Sequence, residues 1–90
     1  MLRLLMVATV SQTLSAFLLP HIQYMQQQDW IVDGAANGIL TNQKCINTFN
    51  SVYDIEWSRS PLDIKHIVKS MKRIRAIVKN GEYDIVHVHT

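Results

Sequence analysis

Cysteine, glycine and proline are scarce in this sequence of 90 residues, which contains one Cys, three Gly and two Pro. A single thiol, Cys45, cannot form an internal disulfide, so a disulfide-rich secreted scaffold is excluded and a reducing compartment is expected. Apolar residues make up 48% of the chain and charged residues 18%, which excludes collagenous and disordered proteins. The length allows one small domain, whose folding buries only about 60% of the chain surface.

Long hydrophobic runs are also missing. The longest uninterrupted apolar run covers residues 4–8, far fewer than the roughly 20 residues of a transmembrane helix. Residues 3–16 resemble a short signal peptide, but a buried first strand explains them better, because cleavage would remove an element that the sheet needs. The net charge of +2 gives no general signature of polyanion binding. We therefore expect a cytoplasmic protein.

Apolar periodicity predicts alternating strands and helices. Strands are expected at residues 3–9, 30–36, 52–57 and 83–90. Helices are expected at residues 15–28, weakly near 41–48, and at 61–80, with a polar bend at 11–13 and a turn at Asn37-Gly38. Pro20 either delays or kinks the first helix. This order indicates an α/β fold: an incomplete Rossmann-like parallel sheet of about four strands, flanked by helices.

The last helix has the clearest signals. Ser60 is a good N-cap, Pro61 suits the first helical position, and Asn80-Gly81 supplies a stop. Its predicted apolar stripe consists of Ile64, Ile67, Val68, Met71, Ile74 and Val78.

The same segment concentrates positive charge. Between residues 62 and 79, six Lys and Arg side chains stand against Asp63 alone. A basic amphipathic helix can rest on an anionic membrane surface, although a solvated outer helix face explains the same pattern. No aromatic platform or recognition motif accompanies the charge, so nucleic acid is not an expected partner.

Ligands of open α/β sheets bind outside the carboxyl ends of the strands, which here are residues 9–13, 36–38, 58–61 and 87–90. The first segment lacks the G-x-G-x-x-G fingerprint of dinucleotide-binding folds. Its Ser11, Gln12 and Thr13 side chains suit hydrogen bonds to sugar or phosphate oxygens, although Ser11 or Thr13 could equally cap the following helix. Arg59 precedes a helix start and suits an anion, but an exposed loop arginine has the same appearance.

His87 and His89 lie two residues apart and therefore face the same side of a strand. Such a pair can ligate a metal, but the remaining histidines, His21 and His66, fall on helices without a motif, so no metal site is predicted. His87 is interpreted as a structural histidine deeper in the strand. His89 and Thr90, at the strand tip, are the better ligand-binding candidates.

Three segments resemble bacterial family 4 glycosyltransferases that act in capsule, exopolysaccharide or O-antigen synthesis. They are LLMVATVSQT at residues 4–13 followed by FLLPH at 17–21, SRSPL at 58–62, and YDIVHVHT at 83–90. The similarity runs in order over nearly the whole chain.

The resemblance implies a GT-B enzyme with two Rossmann-like domains, of which residues 1–90 form part of the N-terminal, acceptor-side domain and the donor-binding domain is absent. Such enzymes move a sugar from a nucleotide-diphosphate sugar to an acceptor, often lipid-linked, with retention of configuration. They need no metal or other cofactor, and the nucleotide sugar is expected only for the full-length parent. No catalytic residue is transferred. The candidate substrate-binding residues are Thr9, Ser11, Gln12, Thr13, Arg59, Ser60, His89 and Thr90.

We expect this truncated chain to be inactive alone. An alternative is a stand-alone, non-catalytic partner subunit of a split GT-B enzyme, and a weaker one is a fragment of a sugar-nucleotide epimerase. An exposed sheet edge near residues 86–90 would suit a homodimer or the missing C-terminal domain. Helix 62–79 would give a peripheral contact with the anionic inner face of the membrane.

Overall fold

The computed structural model describes residues 2–55 and 64–89, which form a parallel sheet between two helical layers. The described strands lie in the order β3-β2-β1-β4. Their bounds are Arg3–Val10 for β1, Ile31–Asn37 for β2, Val52–Asp54 for β3 and Ile85–His89 for β4. The predicted α/β class and parallel sheet are confirmed.

β1 occupies the centre of the sheet, where it pairs with two strands. Leu4 lies opposite Val32 of β2 on one side and Ile85 of β4 on the other. Residues 4–8 are buried on both faces, as a nearly continuous apolar run predicts for a parallel strand. The third strand lies at the sheet edge, beside β2 alone.

The chain turns directly from β1 into a helix. Helix α1 spans Ser11–Thr13, a π-helical turn spans Leu14–Leu18, and helix α2 spans Leu19–Gln27. The predicted polar bend at 11–13 is wrong, because these residues are helical. Val10 is the N-cap residue and has an extended backbone, and the helix begins directly after it without a glycine. The wider π turn lies just before Pro20, which has no N–H for the usual helical hydrogen bond.

The two faces of the sheet carry separate hydrophobic layers. Leu4, Met6 and Ala8 face α1, α2 and the short helix α3 at Gln43–Thr48, and Ile22 is fully buried there. Leu5 and Val7 alternate with these residues along β1 and therefore face the other side of the sheet, where they pack with Ile55 and Ile77. Ile77 belongs to helix α4, Ile64–Gly81, which covers this second face.

Helix α4 follows its predicted stripe in part, because Ile74 and Val78 pack on the core of this face, and it ends at Gly81, within its predicted Asn80-Gly81 stop. Ile77 and Ser70 are buried, whereas Val68 and Met71 are exposed, since the described sheet ends at β4 and offers that flank no further strand to pack on. The helix also includes Gly81, and Glu82 rather than Gly81 adopts a positive φ of 52°. The predicted N-cap, Ser60, lies outside the described residues.

We expect Gly34→Ala to lower the free energy of unfolding by about 1–3 kcal/mol, the usual cost of overpacking a core. Gly34 lies in β2 against the buried Phe49, and a Cβ atom on Gly34 would be 2.8 Å from the Phe49 ring. Urea unfolding of Gly34→Ala, Phe49→Leu and the double variant measures the coupling. Because the smaller Leu leaves room for the new methyl group, the double variant should lose less than the sum of the single losses. Additive losses would contradict this contact.

Candidate polar ligand site

A polar pocket lies where β1 and β2 end, at the carboxyl edge that binds ligands in sheets of this kind. Its volume is about 450 Å³. Among the described residues it is lined by Ser11, Gln12, Ser15, Gly38, Thr41, Asn42, Gln43 and Lys44. Except for Gly38, every one of these side chains can donate a hydrogen bond.

One wall of the pocket depends on the turn after β2. Gly38 adopts a φ of 79°, a conformation that favours glycine. Its N–H donates to Asp54 Oδ1 over 3.0 Å, and its carbonyl accepts from the Thr41 hydroxyl over 3.0 Å. The predicted turn at Asn37-Gly38 is thus confirmed, and its contacts hold the 3-10 turn Ile39–Thr41 beside β3.

Asn42 connects the wall formed by the segment after β2 with the wall formed by the first helical turns after β1. Its Oδ1 caps helix α3 by accepting from the Cys45 N–H over 3.3 Å, and its Nδ2 donates to Ser15 Oγ over 3.1 Å. Ser15 Oγ in turn donates to the Gln12 carbonyl over 3.3 Å. This chain of hydrogen bonds fixes the segment after β2 against the first helical turns after β1.

Ser11 lies at the bottom of the pocket and is only 2% exposed. Its carbonyl accepts a hydrogen bond from Cys45 Sγ over 3.7 Å, and burial raises the pKa of that thiol. Of the side-chain hydrogen bonds within residues 2–55 and 64–89, none involves the Ser11 hydroxyl. A buried hydroxyl without a partner costs about 1–3 kcal/mol, so a polar ligand atom in the pocket would relieve that cost.

Lys44 supplies the positive charge of this pocket, and no carboxylate is found among its described lining residues. Lys44 is exposed, so its ammonium group can move to meet a ligand. Hydroxyl, amide and ammonium donors together suit a ligand rich in oxygen atoms, either neutral or anionic.

The structure brings together only some of the predicted substrate-binding residues. Ser11 and Gln12 line the pocket; Thr9 is exposed at the end of β1, and Thr13 is half-buried outside the described lining. His89 pairs through its backbone with Ala8, at the same edge of the sheet. The remaining candidates, Arg59, Ser60 and Thr90, lie outside the described residues, and their roles stay predictions.

Ser15 and residues 41–44, more than half of the described pocket lining, were not predicted from the sequence. Thr41, Asn42, Gln43 and Lys44 follow the turn after β2, in the segment with the weakest periodicity. The usable signal was their position: four consecutive polar residues just beyond the carboxyl end of a buried strand.

A second polar cluster, also missed, is buried under α4 on the opposite face of the sheet. Asp33 is 1% exposed; its carboxylate accepts from the Ser51 N–H over 2.9 Å and from the Tyr83 hydroxyl, and Arg3 Nη2 lies 3.9 Å from it. Burial first, and then the hydrogen bond with Asp33, raise the pKa of Tyr83 far above its usual range. These groups satisfy one another, so we assign this cluster a structural role.

Residues 2–55 and 64–89 contain no group of three or more His, Cys, Asp or Glu that could hold a metal ion. His87 is exposed and lines an apolar groove with Met25, Trp30 and Ile85. The sequence predicts a structural histidine deeper in the strand, whereas the side chain is exposed because β4 lies at the edge of the described sheet.

The described helices also include none with the length and apolar character needed to cross a lipid bilayer.

Comparison with known proteins gives a chemical context for this pocket. Over 88 residues the chain is 33% identical to a protein of Bacillus subtilis (strain 168) named "Putative glycosyltransferase EpsD". The chain is related to a glycosyltransferase. The alignment covers 98% of this chain and 22% of that protein, so the chain spans about a fifth of its relative's length. No protein-family model and no solved structure matches the chain.

Proposed function

We propose that residues 1–90 form the acceptor-side part of the N-terminal domain of a GT-B glycosyltransferase of family 4. The reaction is the transfer of a sugar, with retention of configuration, from a nucleotide-diphosphate sugar to a lipid-linked saccharide in polysaccharide synthesis. The observation that carries this proposal is the polar pocket at the carboxyl edge of β1 and β2, with the buried Ser11 hydroxyl at its base. The similarity to a glycosyltransferase supports the reaction class.

The pocket has the chemistry that a saccharide needs. Sugar hydroxyls both donate and accept hydrogen bonds, and Ser11, Gln12, Thr41 and Gln43 offer hydroxyl and amide groups of both kinds. These residues come from the ends of two adjacent strands, and the Asn42–Ser15 hydrogen bond of 3.1 Å holds the two segments together. A preformed arrangement of this kind lowers the entropic cost of binding.

The residues that line this pocket also limit the chemistry that we assign to this chain alone. Departure of a nucleoside diphosphate develops negative charge, which needs cations or backbone N–H groups aimed at it from a closed cleft. Lys44 is the one cation among the described residues that line this pocket. We therefore assign saccharide binding to this chain, assign the donor nucleotide to a second domain, and expect no sugar transfer by the 90 residues alone.

A second candidate, a non-catalytic partner subunit of a split GT-B enzyme, is favoured by the exposed side chains of β4. Ile85, Val86 and Val88 are 42%, 38% and 61% exposed, on both faces of a strand at the edge of the described sheet. An unprotected strand of this kind readily accepts another chain. Under this candidate the saccharide pocket is unchanged, and a second copy or a separate donor-binding chain covers β4.

Saccharide titration tests the proposed pocket. We expect glucose and N-acetylglucosamine oligosaccharides to shift the backbone amide NMR signals of Gln12, Gly38 and Asn42, and Ser11→Ala to weaken that binding about 10-fold, the effect of one lost hydrogen bond. Ser51→Ala is the matched control, because Ser51 lies outside the described pocket lining and uses its backbone N–H for Asp33. Equal weakening by both variants, or shifts elsewhere in the sheet, would refute the site.

A further inference from the structure

The last residue of strand β3, Asp54, makes hydrogen bonds to two different parts of the molecule. Its Oδ1 accepts from the Gly38 N–H over 3.0 Å, and its carbonyl accepts from Arg73 Nε over 2.7 Å. Asp54 lies in register with Ala36 of β2, and the next residue, Ile55, donates its N–H to the Ala36 carbonyl over 3.3 Å. The sheet therefore holds the Asp54 backbone, while its carboxylate reaches the turn that forms one wall of the saccharide pocket.

The position of Gly38 matters to that pocket because this residue lies next to the buried Ser11 hydroxyl. A Cβ atom on Gly38 would be 3.6 Å from Ser11 Oγ, and the Gly38 carbonyl accepts from the Thr41 hydroxyl over 3.0 Å. Glycine has no side chain to pack, so backbone hydrogen bonds determine where this turn lies. Binding groups need to stay within about 0.5 Å of their productive positions, and hydrogen bonds from the residues behind them provide this precision.

Helix α4 holds Asp54 from the opposite face of the sheet. Strand β3 has three residues, all half-buried, and within the described sheet it pairs with β2 alone. An edge strand this short needs further contacts to keep its place. The Arg73 guanidinium supplies one of them, and charged donors make stronger hydrogen bonds than neutral ones. A second comes from Ile77, one turn further along α4, which packs with the buried Ile55.

We propose that Asp54 is a positioning residue for the saccharide pocket, and that Arg73 of α4 acts on saccharide affinity through it. The chain of contacts runs from the Arg73 guanidinium to the Asp54 carbonyl, and from the Asp54 carboxylate to the Gly38 N–H. Neither Asp54 nor Arg73 belongs to the described pocket lining, so both act through Gly38 and not on the sugar itself. This role rests on the saccharide binding proposed above. Because equilibrium coupling is reciprocal, a saccharide that fixes the Gly38 turn also strengthens the docking of α4.

Asp54→Ala should weaken the binding of glucose and N-acetylglucosamine oligosaccharides about 10-fold, the effect of one lost hydrogen bond. Asp54→Asn keeps an oxygen acceptor for the Gly38 N–H, although a neutral acceptor forms a weaker hydrogen bond, so this variant should bind within about 3-fold of the unmodified chain. NMR titration of the 90-residue chain measures both affinities, and far-UV circular dichroism checks that the variants are folded. Equal affinity of Asp54→Ala and the unmodified chain would overturn the positioning role and leave the saccharide pocket standing.

Arg73→Gln should weaken the same binding about 5-fold, at the low end of coupling between linked sites. Arg75→Gln is the matched control, because it removes the same charge from an exposed position of α4. Its effect should stay below about 2-fold, as for an ordinary surface substitution. The double variant Asp54→Ala/Arg73→Gln should bind like Asp54→Ala, since the contact through which Arg73 acts is already lost. Additive losses, or equal losses in Arg73→Gln and Arg75→Gln, would overturn the role of Arg73.

Exchange of the Gly38 N–H with solvent gives a readout that needs no saccharide. It should be faster in Asp54→Ala and in Arg73→Gln than in the unmodified chain, and unchanged in Arg75→Gln, because a released N–H loses its protection. Unchanged exchange in Arg73→Gln would overturn the chain of contacts from α4. With the expected exchange pattern but no saccharide binding by the unmodified chain, the chain of contacts would stand and the proposed function would be refuted.

Discussion

Replacing Asp33 by alanine is expected to lower the free energy of unfolding by about 3–5 kcal/mol. The change removes two hydrogen bonds to a buried carboxylate, from the Ser51 N–H and the Tyr83 hydroxyl. Hydrogen bonds to charged groups contribute about 1.5–3 kcal/mol each, and both donors would be left without their acceptor. Native domains are stable by only about 5–15 kcal/mol, so urea unfolding followed at 222 nm should show a large fall in the midpoint.

Two further variants separate hydrogen bonding from loss of volume. Asp33→Asn keeps an oxygen acceptor for Ser51 and should cost less than Asp33→Ala. Tyr83→Phe removes one donor and should be destabilising, whereas Tyr24→Phe, at a side chain that is 65% exposed, should be neutral. If Asp33→Ala lay within about 1 kcal/mol of the unmodified chain, a structural role for this cluster would be wrong.

Leu5→Ala should lower the free energy of unfolding by about 2–5 kcal/mol, the range for deleting a fully buried leucine side chain. Leu5 is 0% exposed in the central strand and packs on Val7, Ala35, Ile55 and Ile77. Both neighbouring strands pair with β1, which leaves the backbone little freedom to close the cavity. The measurement is again urea unfolding.

Leu40→Ala is the matched control, because the same atoms are removed from a side chain that is 57% exposed. Its expected effect lies within about 0.5 kcal/mol. If Leu40→Ala lowered the free energy of unfolding as much as Leu5→Ala, packing against the sheet would not explain the destabilisation by Leu5→Ala.

The strands could be predicted because their signals are local. The nearly continuous apolar run of β1 follows from burial on two faces of a parallel sheet. The bend expected at 11–13 was wrong because side-chain polarity indicated a loop, although the backbone at Val10 turns into the helix without one. The exposure of Met71 depends on how far the sheet extends beneath α4. Helical periodicity alone gives no information about the extent of the sheet.

The candidate site was only half predictable for a similar reason. Ser11 and Gln12 follow a strand that the apolar pattern identifies, so the rule for parallel sheets placed them at the ligand-binding edge. Asn42 and Lys44 come five and seven residues after the end of β2, and the 3-10 turn that brings Asn42 to Ser15 has no strong sequence signature. The Asp33 cluster joins Arg3 of β1, Asp33 of β2 and Tyr83, which lies two residues before β4, and such contacts form only once the strands are assembled.

The central position of the first strand determines the order in which this molecule can assemble. β1 pairs with two strands that come later in the sequence. β2 follows after a single helical connection, whereas Asp84, which lies just before β4 and accepts a hydrogen bond from the Arg3 N–H, is 81 residues further along the chain. Closing the longer loop costs more entropy, and contacts between distant residues slow folding. We infer that β1, β2 and β3 form an early unit during synthesis, and that α4 and β4 dock on it last. Until α4 docks, the face of β1 that carries Leu5 lacks its contact with Ile77.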